Sequence, residues 1–363
     1  MQPYRMKKLL ILLIIVVILP MFALYASAEG ETEEYISELE NILPESLSGI
    51  TEDTDTMLEH ASLSGILSEI TSVLSGRGSE LLGFFLTLLG IVLLMSVASL
   101  LGGQLSRSAE AAVGLICSIM IFPRISSLMS EVSLSLEKIN LFFSSLVPIT
   151  VGITALGGGE SSAAVQGSGM YLTLSLLGSI GGQVFVGLSS IGLALSLISP
   201  LGGERAASII RGIKSLFSWL MGIFTAIMTG VFSLQTLIAS SADSAAMRAA
   251  KYMASGLIPV VGSTVSGALS TLASGLSYAK GIVGGAAIVT LLVLAISPLA
   301  VLIAYRLALT LASSVSEAVG SAASRIFSSY RSALDMTLSV YALSVVIYLF
   351  EVIIFIKMGV AIL

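Results

Sequence analysis

The sequence predicts an all-α, polytopic integral membrane protein with roughly six to eight transmembrane helices. Hydrophobic residues make up 55% of the 363-residue chain and charged residues only 11%, whereas about 25% of residues are charged in soluble proteins. From Ile139 to Gly203 the only charged residue is Glu160. Several apolar runs approach the roughly 20 residues that a helix needs to cross a bilayer. Proline and glycine interrupt these runs, so the sequence also predicts broken helices.

Residues 1–28 have the layout of a secretory signal peptide. Basic residues precede an apolar run, Leu9–Leu24, and Ala26 and Ala28 provide the small residues of a cleavage site. An uncleaved signal anchor is the alternative interpretation. Both place the residues that follow outside the cytoplasm.

Residues 29–80 form an acidic leader, with thirteen Asp or Glu residues and one basic residue, Arg77. Two amphipathic helices are predicted here. The apolar stripe of the first includes residues 36–43 and ends at Pro44. The stripe of the second runs through residues 63–74 and ends at Gly76. The leader packs on a partner or the membrane surface, or it is a mobile acidic segment.

Residues 81–363 form the polytopic membrane domain. Prolines, glycines and polar residues break the apolar pattern of this domain. These breaks predict a short helix that ends at Pro123, an interfacial helix over 128–136, and a broken or re-entrant helix over 252–276. Ser161–Pro200 is too long for one crossing, so a turn is predicted at Gly181-Gly182 or at Ser189-Ser190. The predicted apolar spans are Leu81–Leu101, Ala111–Phe122, Ile139–Leu156, Ser161–Pro200, Leu216–Ala239, Ile282–Ala304 and Leu338–Ile356.

Two proline-containing phrases each occur twice. The Ile-Ser-Pro-Leu phrase around Pro200 returns around Pro298, and the phrase around Pro148 returns in similar form around Pro259. Paired proline-interrupted segments are typical of transporters built from repeats, so repeat units are predicted over 140–240 and 252–356. The alternative is that these prolines simply kink unrelated helices whose freed carbonyls are satisfied by neighbours.

The candidate functional residues are few. Glu351 lies inside the last apolar run, and a carboxylate at membrane depth indicates a functional role. The alternative is a residue near the interface. Asp243, Arg248 and Lys251 form a polar cluster before Pro259, in which Asp243 is predicted to cap a helix beginning at Ser244.

Enzymatic chemistry is not predicted. The single histidine, His60, and the single cysteine, Cys117, are far apart in sequence. The sequence contains no phosphate-binding loop of the P-loop type and no metal-ligand spacing, so we predict neither a cofactor nor a metal. A nucleic-acid partner would need a basic stripe, and the chain has none.

The polar stretch Ala242–Tyr252, followed by Leu257–Gly262, resembles the stage III sporulation protein AE family of endospore-forming bacteria. The order of signal peptide, acidic leader and Gly/Ser-rich membrane body fits the same family. The resemblance implies a multi-pass protein of the mother-cell membrane around the forespore, in a complex that links the two cells. Implied partners are other membrane and ring-forming proteins of the same operon and a separate ATPase. The resemblance transfers no catalytic residue.

Three functions remain open. In the first, the chain is a permease-like component of a secretion or feeding channel, and Pro148, Pro200, Pro259, Gly262 and Pro298 line or gate a path through the bilayer. In the second, it is a non-conducting scaffold that docks through its leader. In the third, it is a secondary transporter coupled through Glu351. Homo-oligomers are compatible with all three.

Overall fold

The computed structural model describes residues 63–100, 103–156, 160–257 and 262–357, which are almost entirely helical. The signal peptide, the first predicted leader helix, His60 and Pro259 lie outside these residues. The described elements are α1 (Leu63–Gly76), α2 (Gly78–Ser99), α3 (Gly103–Leu156), α4 (Glu160–Leu176), a π-helical segment (Leu177–Phe185), α5 (Val186–Leu257), α6 (Gly262–Val319) and α7 (Ala323–Lys357).

The second leader helix is confirmed with the predicted end. α1 begins at Leu63 and ends at Gly76, as its apolar stripe indicates. It packs against α6 and α2. This half of the leader is therefore attached to the membrane domain.

The all-α, polytopic class is confirmed for the described residues, which include no strand and six helical stretches long and apolar enough to cross a membrane. α7 is mostly buried inside the protein, whereas the other five spans bury a third of their residues or fewer. The last span of the chain is thus the centre around which the others pack. The six spans are Gly78–Ser99, Ser108–Leu156, Ser161–Leu201, Ser208–Leu237, Ser277–Val319 and Ala323–Lys357.

Contacts along α7 give the direction of each neighbouring helix. α3 runs parallel to α7, because Ser118 contacts Tyr330 and the later Ser135 contacts the later Tyr341. α3 has 54 residues, which corresponds to about 80 Å. It is far longer than a hydrocarbon core of about 30 Å.

α6 runs antiparallel to α7. Lys280, early in α6, lies over the ring of Phe355 near the end of α7. Arg306, later in α6, pairs with Asp335 near the start of α7. The two helices are joined at Gly320, whose φ of 72° lies in the left-handed region that glycine adopts without steric cost. α6 and α7 are therefore a helical hairpin.

The chain from α4 into the first part of α5 also runs antiparallel to α7. A Cβ atom at Gly192 would overlap the end of the Met336 side chain. The hydroxyl of the later residue Ser199 lies 3.1 Å from that of the earlier residue Ser329. This direction is kept from α4 through the π-helical segment to Pro200.

The rest of α5 runs the other way. Lys214 pairs with Asp335 at 3.6 Å, and Gln235 contacts Glu351, sixteen positions later in α7. The backbone is helical throughout this stretch, so α5 must bend sharply between Ser199 and Lys214. Pro200 stands at the start of this bend, and prolines are the commonest cause of sharp helix kinks.

Three predicted interruptions are therefore wrong. Pro123 does not end a helix but lies inside α3, as does Pro148, since prolines are tolerated in membrane helices whose freed carbonyls find other donors. The segment 128–136 likewise belongs to α3. Ser161–Pro200 does not turn back at its glycines or serines. Gly181 and Gly182 lie in the π-helical segment, and the reversal occurs after Pro200.

The packing of the first part of α5 on α7 can be tested with a cysteine pair in a background where Cys117 is replaced by serine. Cysteines at Ser199 and Ser329 should form a disulfide under mild oxidation, because the two hydroxyls lie 3.1 Å apart. Mass spectrometry of the digested protein would detect the linked peptides. The control pair, Ser190→Cys with Ser329→Cys, should not cross-link, because Ser190 lies more than two helical turns away along α5. Cross-linking of the control pair alone would contradict the helix directions given above.

Candidate functional site

Two prolines inside helices leave a backbone carbonyl without its helical donor. Proline has no N–H group, so the carbonyl four residues earlier loses its partner. For Pro200 this is the carbonyl of Ser196, and for Pro298 it is the carbonyl of Leu294. Both prolines lie inside helices, in α5 and α6, at the two copies of the Ile-Ser-Pro-Leu phrase.

The carbonyl freed by Pro200 accepts a hydrogen bond from α3. Ser118 Oγ donates to the carbonyl oxygen of Ser196 at 3.2 Å, and the same hydroxyl lies 2.8 Å from Tyr330 Oη of α7. Tyr330 Oη also donates to the Ser118 carbonyl at 2.8 Å. The helices meet closely here, because a Cβ atom at Gly114 would lie 2.9 Å from Cβ of Pro200. Glycine at 114 is what lets α3 reach the proline.

The carbonyl freed by Pro298 has the same kind of partners. Ser135 Oγ of α3 and Tyr341 Oη of α7 each lie 3.3 Å from the carbonyl oxygen of Leu294, and 2.8 Å from each other. Each hydroxyl has one proton to donate, so at most two of these three contacts are made at once. We call these two arrangements the serine–tyrosine clamps.

A buried carboxylate lies farther along α7. Glu351 is 2% exposed, and its Oε1 accepts hydrogen bonds from the hydroxyl of Thr173 in α4 and, at 3.3 Å, from Nε2 of Gln235 in α5. Three helices thus contribute one polar side chain each. We call Glu351, Thr173 and Gln235 the Glu351 site. The residue is interior rather than close to a protein surface, while Lys357 at the end of α7 is exposed.

Gln235 is held against the backbone of α4. A Cβ atom at Gly169 would overlap the amide of Gln235, so only glycine leaves space for this side chain. Gln235 is 4% exposed, and its Oε1 has no hydrogen-bond partner among the described residues. A buried acceptor without a partner costs about 1–3 kcal/mol. The Glu351 site therefore contains an unsatisfied oxygen next to a carboxylate.

More buried or half-buried polar side chains belong to the helices that form the Glu351 site or pack on it. One group joins α3 to α4, where Thr154 Oγ1 donates to Gln166 Oε1 at 3.1 Å. Another joins α7 to α3, where Tyr348 Oη donates to Asn140 Oδ1 at 2.9 Å. Polar groups inside membrane spans are expensive and commonly mark ion or substrate pathways. This end of the bundle is the candidate functional region.

Charged residues instead meet around the middle of α3. Arg124 of α3 pairs with Glu80 at the start of α2, which also accepts a hydrogen bond from Tyr305 at 3.2 Å. Arg77 pairs with Glu131 at 2.8 Å. The side chains of these four charged residues are 36–52% exposed, and exposed ion pairs contribute little stability. They join the end of the acidic leader to α3, at the level of the predicted interfacial segment 128–136.

The other predicted site residues are not brought together with Glu351 by any described contact. The backbone at Asp243, Arg248 and Lys251 belongs to the late part of α5, and their side chains are outside the description. The predicted capping role of Asp243 is wrong, because α5 continues through residue 243 without a helix start. Gly262 is the first residue of α6.

Sequence reasoning located Glu351 but missed its partners. Thr173, Gln235 and Ser118 are uncharged polar residues in hydrophobic segments that also contain other serines or threonines. Ser135 lies in a segment with several polar and acidic residues. The sequence offered one clue to these residues, which was a polar side chain within a hydrophobic span. Because the chain is rich in serine and glycine, that clue did not separate these residues from many others. No group of three or more His, Cys, Asp or Glu that could hold a metal occurs in the described part of the chain.

Comparison with known proteins identifies a sporulation family. The family model described as stage III sporulation protein AE matches residues 46–361. A curated relative, stage III sporulation protein AE of Bacillus subtilis (strain 168), is 23% identical over 199 residues. That alignment covers 54% of this chain and 50% of the relative, so the chain spans about half the length of the curated relative that it matches. No solved structure matches.

The two clamps predict unequal effects of serine removal. Ser118→Ala removes the one side-chain donor that the structure gives to the Ser196 carbonyl, so it should destabilise the protein by about 1–3 kcal/mol. Ser135→Ala should cost less, about 0.5–1.5 kcal/mol, because Tyr341 still reaches the Leu294 carbonyl. Thermal unfolding of the purified variants in one detergent measures the order. Equal melting temperatures, or a larger loss for Ser135→Ala, would contradict the assignment of donors.

The close contact between Gly169 and Gln235 gives a second prediction. Gly169→Ala should displace the amide of Gln235 from Glu351 and lower thermal stability by an amount equivalent to about 1–3 kcal/mol. The matched control is Gly222→Ala in α5, whose added Cβ meets nothing within 4 Å and should be neutral or slightly stabilising. Combining Gly169→Ala with Gln235→Ala should recover part of the loss, since the clash is removed. A Gly169→Ala protein as stable as the control would show that the contact is unimportant.

Proposed function

We propose, because this chain belongs to the stage III sporulation protein AE family, that it is a permease-like membrane subunit of an apparatus connecting mother cell and forespore. It would lie in the mother-cell membrane around the forespore and support late forespore development. The match to the family model supports the link to sporulation. The six apolar spans support a multi-pass membrane protein.

The observation that supports a permease-like role is the polar interior around Glu351. A carboxylate that is 2% exposed, inside a span, with hydrogen-bond donors from α4 and α5, is costly to keep in an apolar interior. A protein that only anchors others has no need of such a group. The neighbouring pairs Thr154–Gln166 and Asn140–Tyr348 extend polar character along the same end of the bundle.

Energy for transport would come from another chain. The sequence has no P-loop motif, which is the motif that many ATPases use to bind the phosphates of ATP. We therefore propose a separate ATPase and ring-forming membrane proteins as partners, with homo-oligomers as a further form of assembly.

A non-conducting scaffold is the second candidate. One observation favours it: α1 packs on α6, and Arg77 and Glu80 at the end of the leader pair with α3. The described end of the leader, residues 63–80, thus lies on the membrane domain, mainly through the packing of α1, and it could position a docking module. In that case the acidic residues preceding α1 would hold the partners, and the interior polar groups would serve only packing.

Two variants in the sporulating host separate these functions. A permease-like subunit predicts that Glu351→Gln sharply reduces late forespore gene expression while protein level and co-purifying partners stay normal. A scaffold predicts that Glu351→Gln is silent, and that deleting residues 29–62, which leaves α1 in place, removes the partners. Thr337→Val, which removes a buried hydroxyl that donates within α7 itself, serves as the control for loss of a buried polar group. A silent Glu351→Gln together with a failing leader deletion would refute the permease-like role.

A further inference from the structure

We propose that the Glu351 site binds a small monovalent cation, either Na⁺ or a proton taken up from water by the carboxylate. The inference concerns binding by this chain alone. It does not depend on the role of the chain in a sporulation apparatus, and its test uses the purified protein.

The first observation is the kind of groups that surround the carboxylate. Glu351 Oε1 accepts hydrogen bonds from a threonine hydroxyl and a glutamine amide, and both donors are uncharged. Uncharged donors stabilise a carboxylate but do not neutralise it. A carboxyl group buried in an apolar interior therefore carries its own proton or is accompanied by a positive charge.

The second observation is the oxygen atom of Gln235. This atom is buried and has no partner among the described residues, although Nε2 of the same amide is 3.3 Å from Glu351. With the amide placed so that Nε2 donates to the carboxylate, the amide oxygen has no donor from the described residues. A cation beside Glu351 would supply the electropositive partner that this oxygen lacks.

The third observation is that the site is built by several elements. Gly169 gives Gln235 its position against α4, α5 provides the amide, and α7 provides the carboxylate. A carboxylate, an amide oxygen and a hydroxyl are hard oxygen ligands of the type that alkali and alkaline-earth cations prefer. A single carboxylate matches one positive charge, so we infer a monovalent ion rather than a divalent one.

Other titratable groups lie near the site. Tyr348 precedes Glu351 by about one turn on α7 and bonds Asn140 of α3. Lys280 of α6 is buried and lies 5.9 Å from the ring centre of Phe355, one turn beyond Glu351. α4 and α5 face Glu351 with the uncharged Thr173 and Gln235. A pH response assigned to Glu351 must therefore be separated from responses of Tyr348 and Lys280 by substitution.

Binding of Na⁺ is tested by measuring how the melting temperature of the protein depends on the salt present. The full chain in phosphatidylcholine–phosphatidylglycerol nanodiscs is unfolded by heat in NaCl or choline chloride of equal ionic strength. If Na⁺ binds, the melting temperature rises with NaCl concentration and not with choline. The rise should be absent in Glu351→Gln and Gln235→Leu. It should persist in Gln166→Leu, which removes a buried amide whose oxygen is already paired with Thr154.

The test for a proton is infrared difference spectroscopy of the same nanodiscs between acidic and alkaline pH, without added Na⁺. A protonating carboxyl gives a C=O band that appears on acidification. The component of this band that belongs to Glu351 should be absent from Glu351→Gln and shifted in Thr173→Val. It should be unchanged in Thr337→Val, which removes a buried hydroxyl that donates within α7 itself.

Either result supports the proposal and identifies the cation. If wild-type protein shows neither a Na⁺-specific rise nor a pH-dependent carboxyl band that depends on Glu351, the proposal is wrong. Dependence on the site is checked with three variants, Glu351→Gln, Gln235→Leu and Thr173→Val, so one variant that fails to fold leaves two others for the decision.

Discussion

Every buried backbone carbonyl in a bilayer must find a donor, because hydrocarbon offers none. α7, the most buried span of the described chain, takes part in meeting this requirement. α7 supplies the tyrosines of both serine–tyrosine clamps, while α3 supplies the serines. The carbonyl freed by Pro200 receives a donor from α3, and the carbonyl freed by Pro298 lies within reach of donors from both α3 and α7. These hydrogen bonds hold α5 and α6 against the pair formed by α3 and α7.

The clamps also bear on the predicted repeat over 140–240 and 252–356, which stays a prediction. The two Ile-Ser-Pro-Leu phrases share more than sequence, since each has a freed carbonyl that lies within 3.3 Å of a serine hydroxyl. However, both clamps use the same pair of helices, α3 and α7. Units related by symmetry would draw their partners from equivalent helices of each unit. The similarity is therefore one of local chemistry along a shared helix pair.

The sequence was sufficient for the class of fold, for most of the spans and for α1, because these depend on local apolar patterns. It also identified Glu351, because a charge in an apolar run is conspicuous. It misplaced the ends at Pro123 and the turn within Ser161–Pro200. A proline need not end a helix where its freed carbonyl finds another donor, and such donors can lie on distant helices, as the serines of α3 do at Pro200 and Pro298. For the same reason Gln235 and Thr173 were missed: their importance arises from which helices α7 packs against.

The clamps and the Glu351 site show two outcomes of the same burial cost. A freed carbonyl is neutral, and one or two hydroxyls satisfy it completely. A carboxylate is charged, and the hydroxyl of Thr173 and the amide of Gln235 share its hydrogen bonds without cancelling its charge. In the clamps, the hydrogen bonds of the freed carbonyls are completed within the protein, and they stabilise a fixed structure. At the Glu351 site, the charge of the carboxylate is balanced only by a proton or another cation, which can bind and dissociate. Function that depends on exchange with the surroundings therefore belongs at Glu351 rather than at the prolines.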